Sequence, residues 1–410
     1  MIIISARLAV VAAALLALLA VAAAPTQSAS AGGFKYGGGT VLDSRILRAV
    51  FAEDRLWLLG SDGQLWSMTE AGEWIDVATP DRVIELFVQH GHAAIVTCPG
   101  DSCTQWTPNA RWTLRGWRGN DWETTGEIVT RGEDFVTAIA AGDTTTLLTV
   151  KRMINLADGI QTETALSWPS SVTSSHMFDP LQPLDQQRPK TPFPFPLTYL
   201  YRPEFRPTTP LKAWPVGAVL VTSKHIFVGY SVGEWGGGLK RIDRLTGILS
   251  EIEDVDGDLC GGNLNPACDA VNGIAIIPWR PDCIAVAIGL IHMSSHGRMV
   301  EVCDNAVRPL YTHEIQAHPA TTPGGPDRIM WTTTTAFFGL QQTGEDLLAM
   351  GHDGLYQISR GDTVRQIPLP HFKDVDGVAV SFDIPGLVLV LTTANRRFSV
   401  SSSTPMLVPR

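Results

Sequence analysis

Oxygen-bearing side chains are densest between residues 254 and 269. Asp254, Asp256 and Asp258 alternate along the chain, and Asn263, Asn265 and Asp269 follow closely. Carboxylates at such spacing suit a hard cation such as Ca2+, which takes all of its ligands from oxygen. The glycine and the glutamate that an EF-hand carries at its sixth and twelfth positions are missing, since Leu259 and Asn265 stand there. Two readings therefore stand side by side: a calcium loop, and a solvated acidic connection. The histidines fall into loose pairs: His90 with His92, His292 with His296, and His313 with His318. His90 and His92 would share one side of a strand. A metal site needs three or four convergent ligands, and each pair supplies two. As a base for lyase or hydrolase chemistry, His292 could pair with Glu301, or His313 with Glu314. No nucleophile-elbow, zinc-protease, phosphate-loop or dinucleotide pattern occurs in the context it requires.

Polar groups also occur at two matched positions, Val271-Asn-Gly273 and Val375-Asp-Gly377. Both read as turns leading into an apolar strand. Asn272, Asp374 and Asp376 are thereby candidates for ligand-binding groups. The alternative is ordinary turn chemistry, because Asn-Gly and Asp-Gly form turns for backbone reasons alone.

The elements that must position these groups are strands. Residues 216–253 read as four of them: Val219 to Val221, Ile226 to Tyr230, Leu239 to Asp243, and Ile248 to Ile252. Turns rich in glycine separate them, the mark of an antiparallel meander. A single meander cannot bury both of its faces and needs neighbours like itself. The chain supplies them. Arg55 to Met68 and Asp346 to Ile358 share an apolar strand, a Gly-x-Asp-Gly turn and a strand with an aromatic residue. Seven units follow, covering 41–80, 82–118, 122–168, 214–254, 271–316, 333–370 and 374–408. Their spacing of about 40–45 residues is that of a four-stranded propeller blade. The expected fold is all-β, a seven-bladed β-propeller of four-stranded antiparallel blades, with six or eight blades as the neighbouring counts. The tryptophans at 57, 66, 74, 106, 112, 117, 122 and 168 recur at strand positions and are expected to pack between blades. Residues 33–42, or else Ser399 to Pro409, would complete the last blade.

The run Ile226-Phe-Val-Gly, Trp235-Gly-Gly-Gly-Leu-Lys-Arg-Ile-Asp243, Thr246-Gly247 resembles the repeat of bacterial two-component-regulator propellers, which are periplasmic sensor domains. The unit Met350-Gly-His-Asp-Gly-Leu-Tyr356 looks like a shorter form of the same motif. The resemblance implies blade geometry and transfers no catalytic residue. No transmembrane segment or kinase follows the repeat before Arg410, so the fold is expected without the signalling role.

Arg7, the apolar run Leu8 to Ala24 and the small residues Ala29-Ser30-Ala31 read as a signal peptide, residues 1–31, cut after Ala31. An uncleaved anchor is the alternative. Residues 32–410 would then form one propeller domain with a proline-rich insertion at about 169–215. That insertion holds eleven prolines, which lack the N–H that a strand ladder needs. Its aromatics argue against a plain linker. It reads either as a lid across one face of the ring or as an excursion on the outside of the blades.

The six cysteines fall into local pairs, Cys98 with Cys103, Cys260 with Cys268, and Cys283 with Cys303. In an exported protein these read as disulfides, favoured by proximity alone. Free buried thiols are the alternative. The net charge of −10, without a basic run, argues against nucleic acid as a partner. No further apolar run is long enough to span a membrane, so the mature chain is expected to be a soluble monomer, secreted or periplasmic. The expected function is to bind a protein, peptide or glycan ligand on one face of the ring. The competing reading is an extracytoplasmic propeller lyase or hydrolase with His and acidic residues at the channel mouth.

Overall fold

In a half-buried sheet, side chains would alternate between core and water. Here the middle strands do not alternate. Arg55–Gly60 and Asp346–Gly351 are each buried at every position after the first, whereas the outermost strand Ile160–Ala165 is almost wholly exposed. A sheet buried on both faces must lie between two others. The computed structural model describes residues 44–410, apart from 70–73, 101–102, 104–110, 130, 158, 170–208, 257–259, 293, 316–332, 362, 369–376, 385 and 397–399.

Seven antiparallel sheets of three or four strands follow one another along the chain, each in sequence order, and a two-stranded pair, Glu314–Ile315 with Thr333–Thr334, lies between the fifth and sixth. They span 46–77, 82–129, 135–165, 216–252, 271–311, 337–368 and 377–409, numbered blades 1 to 7. Blades 1 to 6 have four strands, and blade 7 has three among the described residues. The first strand of each blade lies against the first strand of the next, and that of blade 7 (Gly377–Ser381) lies against that of blade 1 (Ile46–Ala52). The first strands thus ring a central axis, and the protein is a seven-bladed β-propeller.

The core is divided in the same way. Among the described residues seven apolar clusters are present, and each joins two adjacent blades. Trp57 and Leu59 meet Trp117 and Trp122 between blades 1 and 2. Trp112 and Phe135 meet between blades 2 and 3. Leu56, Leu58 and Met68 of blade 1 meet Leu389 and Leu391 of blade 7, which closes the ring. The three indoles of Trp57, Trp117 and Trp122 stand edge to face, with centroids 5.0–5.7 Å apart. The expected packing of tryptophans between blades is what these rings do.

Two expectations need correction. Trp122–Val129 is the fourth strand of blade 2, paired with Arg111–Trp117 through the tight turn 118–121. Blade 3 therefore begins at Phe135 rather than at 122. A turn inside a blade and a turn between blades use the same residue types, so only pairing tells them apart. Similarly, Val271-Asn-Gly273 lies inside the first strand of blade 5 (Val271–Ile277) as a bulge, not as a turn before it. The same bulge recurs in six blades, at Leu47, Ile84, Val136, Gly217, Asn272 and Phe338. An extra residue there bends each strand where it enters the channel. Glycine follows the bulge in blade 5 because the neighbouring first strand is so close. A Cβ on Gly273 would stand 2.5 Å from the Leu340 nitrogen.

The last strand of blade 7 is Val400–Pro409, so the C-terminal segment supplies its third strand. Residues 33–42, residues 1–31 and the body of the proline-rich insertion lie outside the described residues.

A chain cut before residue 377 loses every contact of the blade 7–blade 1 interface. Eight buried side chains form that cluster among the described residues. At about 1.5–3 kcal/mol each, their loss is about 12–24 kcal/mol, comparable to or larger than the usual net stability of about 5–15 kcal/mol. Truncation at 376 is expected to abolish cooperative thermal unfolding followed by circular dichroism. A soluble truncation that melts cooperatively contradicts ring closure as the source of stability.

Candidate functional site

Because strands alternate in direction, the connections between second and third strands emerge on one face of the ring. The connections that enter each blade emerge on that same face, here called the entry face. In five blades polar side chains tie the incoming connection to the turn between the second and third strands or to the third strand itself. Ser44 Oγ donates to Asp62 Oδ1 at 3.1 Å in blade 1. Arg115 Nη2 donates to Asp81 Oδ2 at 3.0 Å in blade 2. Arg152 pairs with Glu133 and Glu163 in blade 3. Arg298 Nη2 donates to Asp269 Oδ2 at 2.5 Å in blade 5. In blade 6, Asp353 Oδ2 accepts from Thr335 Oγ1 at 3.0 Å and from Tyr356 Oη at 2.9 Å, with His313 Nδ1 at 3.2 Å. The aspartates of both Gly-x-Asp-Gly turns thus reach back to the incoming connection.

The sequence candidates fall into this framework as follows. Asp254 Oδ2 accepts from Asn263 Nδ2 at 2.5 Å and from its N–H at 3.3 Å. Asp269 is fully buried and holds Arg298, whose guanidinium also donates to the carbonyls of Asn263 and Gly262 at 2.8 and 3.1 Å. The acidic loop is therefore built around a guanidinium. Asp256 lies on its exposed rim, and Asp258 lies outside the described residues. Asn272 Nδ2 donates to Gly289 O at 2.7 Å in its own blade and to Phe337 O at 2.9 Å in the next. Its amide links blades 5 and 6. Asp374, Asp376 and His318 lie outside the described residues. All three cysteine pairs are disulfides as expected.

His90 and His92 diverge. On the face opposite to the entry face, His92 Nδ1 meets Glu53 Oε1 of blade 1 at 2.6 Å, and His90 Nε2 meets Asp143 Oδ1 of blade 3 at 3.3 Å. They line a cleft of about 260 Å3 between blades 2 and 3, together with Arg118, which pairs with Glu123 outside the cleft. Glu301 sits opposite Ala285, far along the hairpin from His292, and Arg280 Nη1 donates to both of its oxygens at 2.6 and 2.5 Å. At the channel mouth, unforeseen from sequence, Arg48 Nε donates to the buried Glu85 at 3.0 Å, and Arg48 Nη1 donates to Val216 O at 3.1 Å. Thr137 Oγ1 donates to the other Glu85 oxygen at 3.0 Å, so this network joins blades 1 to 4.

One concavity on the entry face has aromatic walls and charge to spare. It holds about 240 Å3 at blade 4. Its floor is the buried Tyr230, with Lys240 paired to Glu251 beside it. One wall is Lys212 and Trp214, where the chain enters blade 4. The Lys212 ammonium sits 3.6 Å from the Trp214 ring centre, and the Lys212 N–H donates to Tyr230 Oη at 3.4 Å. Burial, with the nearby Lys240 adding to it, holds the Lys212 amine below the ordinary lysine range. Burial likewise pushes the Tyr230 hydroxyl above the ordinary tyrosine range, so it stays protonated. The second wall is the glycine-rich turn between the second and third strands, which carries Trp235 at 60% exposure. The third is Pro266 and Ala267, within the loop closed by Cys260 and Cys268.

The glycines of that turn are there for close approach. Gly237 N donates to Pro266 O at 2.9 Å, and Gly238 N donates to Asp269 O at 3.0 Å. A Cβ on Gly236, which has φ 79°, would stand 2.3 Å from Pro266 O. The run Gly-Gly-Gly thus lets blade 4 lie against the disulfide loop of blade 5. The pocket itself was not visible in sequence, because its walls are separated by up to 55 positions in the chain, from Lys212 to Ala267.

No family model matches the chain, and no curated protein is similar to it at a significant level. Similar solved structures include the extracellular domain of the BT4673 one-component system of B. thetaiotaomicron. It is 12% identical, covers 90% of this chain and 40% of that one, and has a TM-score of 0.45. The present chain thus spans about two fifths of that molecule's length. The WD40 β-propeller domain of Doa1 is 10% identical over 90% of this chain and 96% of that one, with a TM-score of 0.44. The protein YCF48, bound to D1 peptide, is 11% identical over 90% and 97%, also with a TM-score of 0.44. Among the described residues no helix is long and apolar enough to cross a membrane.

His352 offers a test of the entry-face network. Burial holds its imidazole below the ordinary histidine range despite the neighbouring Asp353 carboxylate. Its Nδ1 lies 3.2 Å from both the Ala336 N–H and Ser295 Oγ. The unfolded chain takes up a proton near pH 6.5, and the folded chain takes it up only at lower pH. The stability contributed by neutral His352 is therefore present above about pH 6.5 and lost as pH falls toward the folded value. The melting temperature of the protein is expected to fall more steeply from about pH 7.5 to about pH 5 than that of His352→Gln. Parallel profiles contradict this.

Proposed function

We propose that this protein is an exported, monomeric propeller that binds a protein, peptide or glycan ligand on the entry face, at the pocket of blade 4. The observation that carries this reading is the pocket's construction. Three connections from different parts of the chain converge on it, and a disulfide braces one of them. They leave a large indole, that of Trp235, open to solvent beside an ammonium, that of Lys212, which makes no direct ion pair among the described residues. Exposed aromatic side chains next to a concave, partly apolar surface are the usual anchors of binding sites. The three disulfides support a location outside the reducing cytosol, as does the signal-like N-terminal sequence.

The lyase or hydrolase alternative has its nearest candidate in His313. Its Nδ1 lies within 3.2 Å of Thr335, Asp353 and Tyr356, groups that also bond one another. That pattern supports a fastening role, and the binding reading is preferred.

The test is capture of partners from the source culture by the mature protein and by Trp235→Ala, followed by mass spectrometry and glycan analysis. A ligand retained by the wild type and lost from the variant is the expected result. A ligand held equally by both overturns the placement on this pocket. Turnover of a substrate without stable capture overturns binding as the function.

A further inference from the structure

The chemistry of the blade 4 pocket narrows the ligand class, an inference that rests on the entry-face reading. Three charges lie in it: Lys212, Lys240 and Glu251. Lys240 and Glu251 neutralise each other. Two cations thus face one carboxylate: Glu251 attracts Lys212 only at longer range, and the Lys212 ammonium faces the indole of Trp214 at 3.6 Å. A partly desolvated ammonium is stabilised by an arriving anion more strongly than a fully hydrated one.

The backbone around the pocket narrows the choice further. The N–H groups of Trp235, Gly236, Gly237 and Gly238 already donate to Val232, Gly233, Pro266 and Asp269. Those of Tyr230, Ser231 and Val232 donate to Gly238, Pro215 and Gly236. A peptide backbone would find no N–H row to pair with, as strand addition requires. Recognition is left to ring faces and amino groups. The volume of about 240 Å3 is below the roughly 300–1,000 Å3 that encloses a whole drug-sized ligand. It suits one residue of a longer chain. The face of an indole carries partial negative charge, and the weakly positive C–H groups on one side of a pyranose ring lie well against it.

We infer that the pocket takes a uronic-acid residue of an acidic saccharide, with its carboxylate at Lys212 Nζ and the apolar face of its ring on Trp235. Both contacts are made by side chains that the fold can lose. Trp235 is largely exposed, and Lys212 caps no buried carboxylate among the described residues.

The experiment is isothermal titration of the full mature chain with oligomers of galacturonate, glucuronate and mannuronate. Their neutral methyl esters and oligoglutamate serve as comparisons. Melting curves verify that each variant folds. At least one uronate series is expected to bind, and its methyl ester to bind at least about tenfold more weakly. Trp235→Ala and Lys212→Met are each expected to weaken binding at least about tenfold. Lys212→Arg should retain most of it, and Leu245→Ser on the opposite face should change nothing. Oligoglutamate binding that depends on the same two residues overturns the saccharide assignment in favour of an acidic peptide. If no uronate binds while a captured ligand still requires Trp235, the acidic-saccharide inference falls and the entry-face reading stands. If captured ligands ignore Trp235, both fall.

Discussion

Apolar burial in this protein happens between blades. Each of the seven buried clusters draws side chains from two neighbouring sheets, and one of them joins the last blade to the first. A four-stranded sheet taken alone would expose both of its faces, as its middle strands are buried on both sides. The ring is therefore the smallest unit that satisfies any of its members. The hydrophobic effect is non-directional, so it holds the blades together without fixing the connections at their rims. The polar groups do that second task.

On the entry face the incoming connection of a blade is tied to its third strand or to the turn before it. The means differ: hydroxyl to carboxylate in blade 1, guanidinium to carboxylate in blades 2, 3 and 5, and a Thr-Tyr-His-Asp cluster in blade 6. Charge-assisted bonds of this kind are shorter and stronger than neutral ones. In blade 5 the tie has a further consequence. Asp269 holds Arg298 through its side chain and accepts from Gly238 through its carbonyl. One residue thus couples the disulfide-closed loop to the glycine turn that presents Trp235. The pocket walls owe their positions to that coupling.

Much of the architecture was legible in the chain. The Gly-x-Asp-Gly turns, the strand alternation at 216–253 and the period near that of a blade pointed to seven sheets, and the local cysteine pairs close as expected. What stayed hidden depends on pairing across distance. The turn at Arg118–Asp121 looked like a blade boundary and proved to be a hairpin within blade 2. Asn272 looked like a turn residue and is a bulge whose amide stitches two blades. Arg48 and Glu85 carry no motif, and their meeting at the channel follows from the ring alone. The acidic run at 254–269 was read for its oxygens, while the group that organises it, Arg298, lies on the next blade's third strand. The glycines 236–238 stood out at once, but their purpose, room for Pro266, needed the neighbouring loop.

The central claim is that the entry face is a fastened platform and that the pocket depends on its fastening. Amide hydrogen exchange at Gly237 and Gly238 tests it most directly, because both N–H groups donate into the loop that Arg298 holds. In Arg298→Met these two amides are expected to exchange at least about tenfold faster than in the parent protein, while those of Ile226 and Ile242 in the same blade keep their protection. Unchanged exchange at Gly237 and Gly238 in that variant would contradict the account.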